Sequence, residues 1–234
     1  MQKLLLHNDD QIRDNQTMIK AVIFDMDGLM VNTEPLQSRS FEEVIKTYGK
    51  KPVLNEHGLV HRVGVRGDKN FQEMKIKYHI DEELMTLRQK RRVVYEKLLQ
   101  EGVSAMPGLF SLLRILQEKD IPIAIASGSP RKHITIIAQH LHISNYFTVV
   151  ISGEDVKHGK PDPECFIKAS SALGLPVEEC LVIEDAESGV HAAKQIGMKV
   201  IAIPSEYTKH HNLKKADMIG NSLEEITWDL LMSL

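Results

Sequence analysis

Apolar positions along this chain follow two different rhythms. Residues 19–24, Ile19-Lys20-Ala21-Val22-Ile23-Phe24, are mostly apolar and partly β-branched, which predicts a strand buried on both faces of a parallel sheet. From Glu34 to about Gly102 the rhythm turns helical. Phe41, Val44, Ile45 and Tyr48 recur at i, i+3, i+4 and i+7, and Phe71, Met74 and Tyr78 continue in that style. Leu84, Leu87, Arg91, Val94 and Leu98 mark a longer helix with many exposed charges. These stripes are read as packing faces, with residues 61–68 as a loop between helices. Beyond Gly102 short apolar runs alternate with helical stripes. Strands are predicted at 121–126, 148–151, 180–183 and 199–203, and helices from Pro107, at 131–141, from Asp162-Pro163 to Gly174, and at 189–196. Ser222-Leu223-Glu224-Glu225 has the spacing of a capping box before a last helix.

Such alternation predicts an α/β fold, a doubly wound, Rossmann-like parallel sheet with helices on both faces. The helical stretch then reads as a small domain inserted after the first strand. The expected layout is an N-terminal extension at 1–17, an α/β core at 18–33 and 104–234, and the helical insertion at 34–103, with a return hinge at 101–104.

Composition changes little but excludes much. With 234 residues, 42% of them apolar, the chain can bury a real core. A net charge of −3 gives no general pull toward nucleic acid or an anionic membrane. No apolar run approaches the roughly 20 residues of a membrane span, and Leu4-Leu5-Leu6 is too short for a secretory h-region. Two cysteines, Cys165 and Cys180, make no disulfide framework, so a cytoplasmic setting is expected.

In open α/β sheets ligands bind outside the carboxyl ends of the strands. The first strand ends in Asp25-Met26-Asp27-Gly28. Along an extended chain the side chains at i and i+2 point the same way, and Gly28 then lets the backbone turn sharply. Two like charges that close call for a cation between them or for a proton on one of them. The second strand ends in Ser127-Gly128-Ser129. Gly159-Lys160-Pro161-Asp162 follows the third, and the fourth ends in Glu184-Asp185. Each element alone reads equally as a turn, a helix cap or a solvated loop end. Together they put a hydroxyl, a cation, an acid pair and a carboxylate nucleophile on one sheet edge, the set that phosphoryl transfer needs.

On these motifs the chain resembles the haloacid dehalogenase superfamily, in the branch of β-phosphoglucomutase and small sugar-phosphate phosphatases. The matching stretches are Asp25-Met26-Asp27-Gly28-Leu29-Met30-Val31-Asn32-Thr33-Glu34 and Ala126-Ser127-Gly128-Ser129-Pro130. Gly159-Lys160-Pro161-Asp162-Pro163-Glu164 and Val182-Ile183-Glu184-Asp185 with Ala186-Glu187-Ser188-Gly189-Val190 come next, in the family order. The helical insertion matches the family's cap. The resemblance implies Asp25 as nucleophile and Asp27 as general acid/base. It implies Ser127, Gly128 and Lys160 as phosphate binders, and Asp25, the Asp27 backbone carbonyl, Asp185 and Glu184 around Mg²⁺. The implied reaction has two steps. Asp25 attacks phosphorus while a protonated Asp27 gives its proton to the leaving oxygen, and water activated by the same Asp27 then cleaves the aspartyl phosphate.

The branch holds two reaction types. Its mutases carry Asp-Thr-Ala-x-x-His after the first motif. Here Asn32-Thr33-Glu34-Pro35-Leu36-Gln37 puts Gln37 at the histidine position, the phosphatase-like form. The expectation is therefore a hydrolase for small phosphorylated metabolites, of the sugar or polyol phosphate type by that resemblance, with a phosphohexose mutase as the alternative. Arg66 and then Arg62 are the first candidate substrate contacts in the cap. No nucleic acid or membrane partner is expected, and the chain is read as a monomer. His57 and His61 share an i, i+4 spacing that suits a metal on a helix, but Gly58 between them favours a solvated cap surface.

Overall fold

The structure, a computed structural model, describes residues 18–61, 63 and 67–234. The N-terminal extension at 1–17 and both Arg62 and Arg66 lie outside the described residues.

Strand β1 (Ala21–Phe24) is the centre of the sheet. It pairs in parallel with β2 (Ile123–Ala126) on one side and β4 (Cys180–Glu184) on the other. Outside these lie β3 (Val149–Ile151), β5 (Lys199–Ala202) and β6 (Met218–Ile219), giving the order β3-β2-β1-β4-β5-β6, all parallel. Alternate residues of each strand serve opposite faces, as the pleat requires. Val22, Phe24, Ile123, Ile125, Leu181 and Ile183 pack under helices α4 (Leu109–Glu118) and α5 (Arg131–His140), through Leu112, Leu113, Leu116, Ile134 and Ile137. Ala21, Ile23, Ala124, Ala126 and Val182 face α6 (Glu164–Leu173) and α7 (Glu187–Gln195), through Phe166, Ala169, Val190 and Ala193. Both faces are covered, which is why the central strands read as unbroken apolar runs.

Between β1 and β2 the chain forms three helices before α4, namely α1 (Glu34–Thr47), α2 (Gly67–Tyr78) and α3 (Leu84–Glu101). Phe41, Val44, Ile45, Phe71, Met74, Tyr78 and Leu87 form a cluster of their own. Helix α3 is shared: its later residues Tyr95 and Leu99 join the core beneath the sheet. The two linkers run side by side, with the Asn32 amide donating to the Ser104 carbonyl at 3.0 Å and Met106 to Met30 at 2.9 Å.

Three details differ from expectation. Strand β6 is only two residues long and carries no apolar run of its own. Gly67-Asp68 open α2 instead of ending a loop. The 222–225 capping box starts a single 3₁₀ turn, Leu223–Glu225, in which the Ser222 side chain accepts from the Glu224 amide. Ile226 then leaves helical geometry to bury itself, and Thr227 caps the last helix, α8 (Trp228–Met232).

Candidate active site

Asp25 continues β1 by one residue, its amide donating to the Ile183 carbonyl at 3.0 Å. That bond fixes the backbone that carries its carboxylate, which is 8% exposed. The chain then doubles back at once: Met30 donates to Met26 and Gly28 to Val31, both at 2.9 Å. Gly28 takes φ +88°, and a side chain there would run into the Asp185 carboxylate, so the turn needs glycine twice over. This turn presents Asp27. Its Oδ1 accepts from the Thr33 hydroxyl at 2.8 Å, and its Oδ2 from Ser129 at 2.8 Å and Ser127 at 3.2 Å. Three hydroxyls from two segments therefore hold one carboxylate.

Lys160 closes the site. Its Nζ donates to Asp25 Oδ1 at 2.6 Å, to Glu184 Oε1 at 2.7 Å and to the Ala126 carbonyl at 3.1 Å, so it ties together the ends of β1, β2 and β4. Burial alone would lower its proton affinity, but the Asp25 and Glu184 carboxylates more than reverse that and hold it above the ordinary lysine range. Glu184 is 1% exposed, and its other oxygen accepts from the Asp185 and Ala186 amides, both at 2.8 Å. Gly189 backs directly onto that carboxylate, where any Cβ would overlap it. Gly189→Ala should displace Glu184 and cost about 1–3 kcal/mol of stability, read by urea unfolding.

Asp185 Oδ2 accepts from Thr208 at 3.1 Å and Ser205 at 3.3 Å. Asp25, Glu184 and Asp185 each bring a carboxylate oxygen within 4.8 Å of the others. Burial, with the neighbouring acids adding to it, pushes Asp25 up to about 7 and Asp185 well above the usual carboxylate range. One ammonium does not balance three carboxylates. The all-oxygen donor set and its uncompensated charge fit a hard divalent cation such as Mg²⁺.

These groups border a cavity of about 370 Å³ whose lining includes Asp25, Asp27, Gly128, Lys160, Glu184 and Asp185, and on the helical side Glu34 and Gln37. Ser127 is 2% exposed and its oxygen is engaged by Asp27 and the Ser129 amide, so it braces the site from behind while Gly128 and Ser129 border the opening. Sequence reasoning missed Thr33, Ser129, Ser205 and Thr208 as partners of the acids. The rule that found the other sites, reading the residues just beyond each strand, would also have reached Ser205 and Thr208 after β5.

Arg91 is more than a packing residue. Its guanidinium lies over the rings of Phe41 and Tyr95 and donates to Ser40 Oγ at 2.9 Å and Gln37 Oε1 at 3.1 Å. It lines a second cavity of about 240 Å³ that meets the first along Gln37, Gly128 and Ser129. His57 and His61 are not on a helix. His57 is exposed, as a solvated surface requires, but His61 is buried against Glu34 and Phe41.

Fold and site together define a class: hydrolases with an α/β core that gathers acids, a lysine and hydroxyls at the carboxyl edge of its central strands. The chain belongs to the haloacid dehalogenase-like hydrolase family, whose model matches residues 22–203. It is 32% identical over 185 residues to the phosphorylated carbohydrates phosphatase of Thermotoga maritima, covering 78% of this chain and 84% of that one. It is 34% identical over 216 residues to (DL)-glycerol-3-phosphatase 1, mitochondrial, of Arabidopsis thaliana, covering 88% and 70%. Among solved structures, CbbY from Rhodobacter sphaeroides in complex with phosphate shares the fold, with a TM-score of 0.81 at 24% identity over 93% of this chain and all of that one. No helix among the described residues is long and apolar enough to cross a membrane.

Proposed function

We propose that this protein is a Mg²⁺-dependent phosphatase that hydrolyses small phosphorylated metabolites, sugar or polyol phosphates, through a phosphoryl group carried on Asp25. The observation that carries this reading is the pairing of two differently held acids in one cavity: Asp25 against the Lys160 ammonium, and Asp27 against hydroxyls alone. The first environment suits a nucleophile, the second a group that exchanges a proton. Asp25 attacks phosphorus, and Asp27 delivers its proton to the leaving alkoxide. Asp27 then takes a proton from the water that cleaves the acyl phosphate, which regenerates both acids. Lys160 and the amides beside Gly128 neutralise and orient the phosphate oxygens. Asp25, Glu184 and Asp185 would hold Mg²⁺, with the Asp27 carbonyl as a further ligand, and the bound cation would supply charge neutralisation between nucleophile and phosphate.

Helices α1–α3 act as a cap over this edge, hinged at the paired linkers near Thr33 and Ser104, and the protein works as a cytoplasmic monomer. Gln37 supports hydrolase over mutase. It lines the cavity where a mutase-type histidine would stand, but its carboxamide moves no proton and its oxygen is engaged by Arg91. The deciding assay is phosphate release from a panel of sugar, polyol and aryl phosphates with Mg²⁺. Conversion of β-glucose 1-phosphate to glucose 6-phosphate that outpaces phosphate release on every ester would overturn this reading in favour of the mutase.

Two further outcomes are expected. Chelation should abolish turnover, and Asp185→Ala should raise the Mg²⁺ requirement at least tenfold, about 1.4 kcal/mol of binding. A cation displaces the proton that burial keeps on Asp25 up to about pH 7. Mg²⁺ affinity should therefore weaken as pH falls below that value, which titration calorimetry at several pH values reads directly.

A further inference from the structure

Among the described residues, Glu34 is the one acid in the cavity wall with no place in the reaction above. It opens α1, is 9% exposed, and its Oε2 accepts from His61 Nε2 at 2.8 Å. The His61 ring is stacked on Phe41 at 5.5 Å, and its Nδ1 is buried without a hydrogen-bond partner among the described residues. A hydrogen on Nδ1 would be a stranded donor, so Nδ1 carries the lone pair and Nε2 the N–H. The imidazole therefore holds the Glu34 carboxylate in place through Nε2.

A carboxylate in the wall of a phosphate site repels the phosphate and must serve the other end of the substrate. Gln37 stands one helical turn further along α1, on the same face and in the same cavity. Its oxygen is engaged by Arg91, and its amide nitrogen makes no hydrogen bond among the described residues. Side by side, then, the wall offers an acceptor in Glu34 and a donor in Gln37. An ammonium group satisfies the first alone and a carbonyl the second alone, whereas a hydroxyl, or two adjacent hydroxyls, satisfies both.

We propose that Glu34, oriented by His61, together with Gln37 selects hydroxylated phosphate esters by binding a hydroxyl of the leaving alcohol; this rests on the phosphatase reading above. Glu34 and Gln37 are specificity-determining residues, and His61 is a positioning residue acting through Glu34. A site built to bond a hydroxyl discriminates against an analogue that lacks it, because its polar groups are then left unpaired.

The experiment compares kcat/KM for sorbitol 6-phosphate, hexyl phosphate and 6-aminohexyl phosphate, all with Mg²⁺. The wild type should favour sorbitol 6-phosphate over hexyl phosphate by about 10- to 100-fold, the range of one hydrogen bond to a charged group. Glu34→Met should collapse that ratio to about threefold or less. His61→Leu should lower it, and His61→Gln, whose amide N–H reaches to the same point, should restore it. The proposal is overturned by a wild type that does not distinguish the two esters, by a ratio that survives Glu34→Met, or by preference for the amino ester. If Glu34→Met does not fold, the wild-type ratio and the two His61 variants decide. Loss of selectivity with aryl phosphate turnover still measurable in the wild type condemns this inference alone, whereas no turnover of any phosphomonoester condemns the phosphatase reading with it.

Discussion

Asp25→Asn should lower kcat by at least about a thousandfold, roughly 4 kcal/mol of barrier. The substitution keeps the shape of the side chain and its place at the end of β1. The amide hydrogen bond to Ile183 is a backbone contact and survives. What goes is the anion proposed to attack phosphorus, and a carboxamide has no comparable lone pair to offer. The fold should suffer little, because the amide oxygen can still accept from Lys160, the ammonium keeps Glu184 as its ion-pair partner, and burial already disfavours a charge at this position. The variant is therefore expected to bind phosphate esters and remain folded while failing to turn over. Rapid-quench labelling with a ³²P ester should trap phosphoprotein in the wild type and none in the variant. Turnover near the wild-type rate would end the covalent mechanism.

Lys160→Met should cost both catalysis and fold. The ammonium is the one cation in direct contact with Asp25 and Glu184 among the described residues, and both bonds are short and nearly buried. Removing it leaves the two carboxylates facing each other with no cation between them. Breaking a buried pair in this way typically costs about 3–5 kcal/mol, far more than the net worth of the pair. Burial already holds Asp25 up to about 7, and without the lysine its proton affinity should climb further, which leaves less nucleophile at neutral pH. Loss of one charge-stabilising donor should lower the rate by about 10²–10³ besides. Urea unfolding with and without Mg²⁺ should find the variant unstable and partly rescued by the cation, since a divalent ion supplies the missing charge to the same acids. A variant as stable as the wild type without Mg²⁺ would show that these carboxylates do not share the charge problem inferred from their burial.

The parts of this protein that could be read from sequence are those whose cause is local. β1 and Asp25-x-Asp27 announce themselves because full burial demands an unbroken apolar run and a two-residue period then aligns the acids. Helices α1 to α3 were legible from stripes of the right period. His61 was not, because its burial is decided by Phe41 and Glu34, 20 and 27 residues away along the chain. Arg91 falls in the register of a packing stripe, and only the rings of Phe41 and Tyr95 and the oxygen of Gln37 give its charge a purpose. Ser205 and Thr208 were passed over because a polar stretch after a strand looks like any loop until Asp185 is seen to need it. β6 has too few residues for any period to register.

The central position of β1 has a further consequence for how the protein comes into being on the ribosome. The strand that carries Asp25 is made early, yet one neighbour, β2, lies about 100 residues later and the other, β4, later still. Its ammonium partner, Lys160, is 135 residues downstream. At about 5–20 residues per second of synthesis, the nascent chain spends several seconds or more holding an apolar strand with two open edges. Helices α1 and α2, whose backbone hydrogen bonds are local, have time to form in that interval. The sheet does not, and neither does the reactive centre. Arrest of translation before β4 should therefore leave a helical, aggregation-prone chain with no activity, and the acids at the heart of the enzyme become chemically distinctive only when nearly the whole polypeptide has emerged.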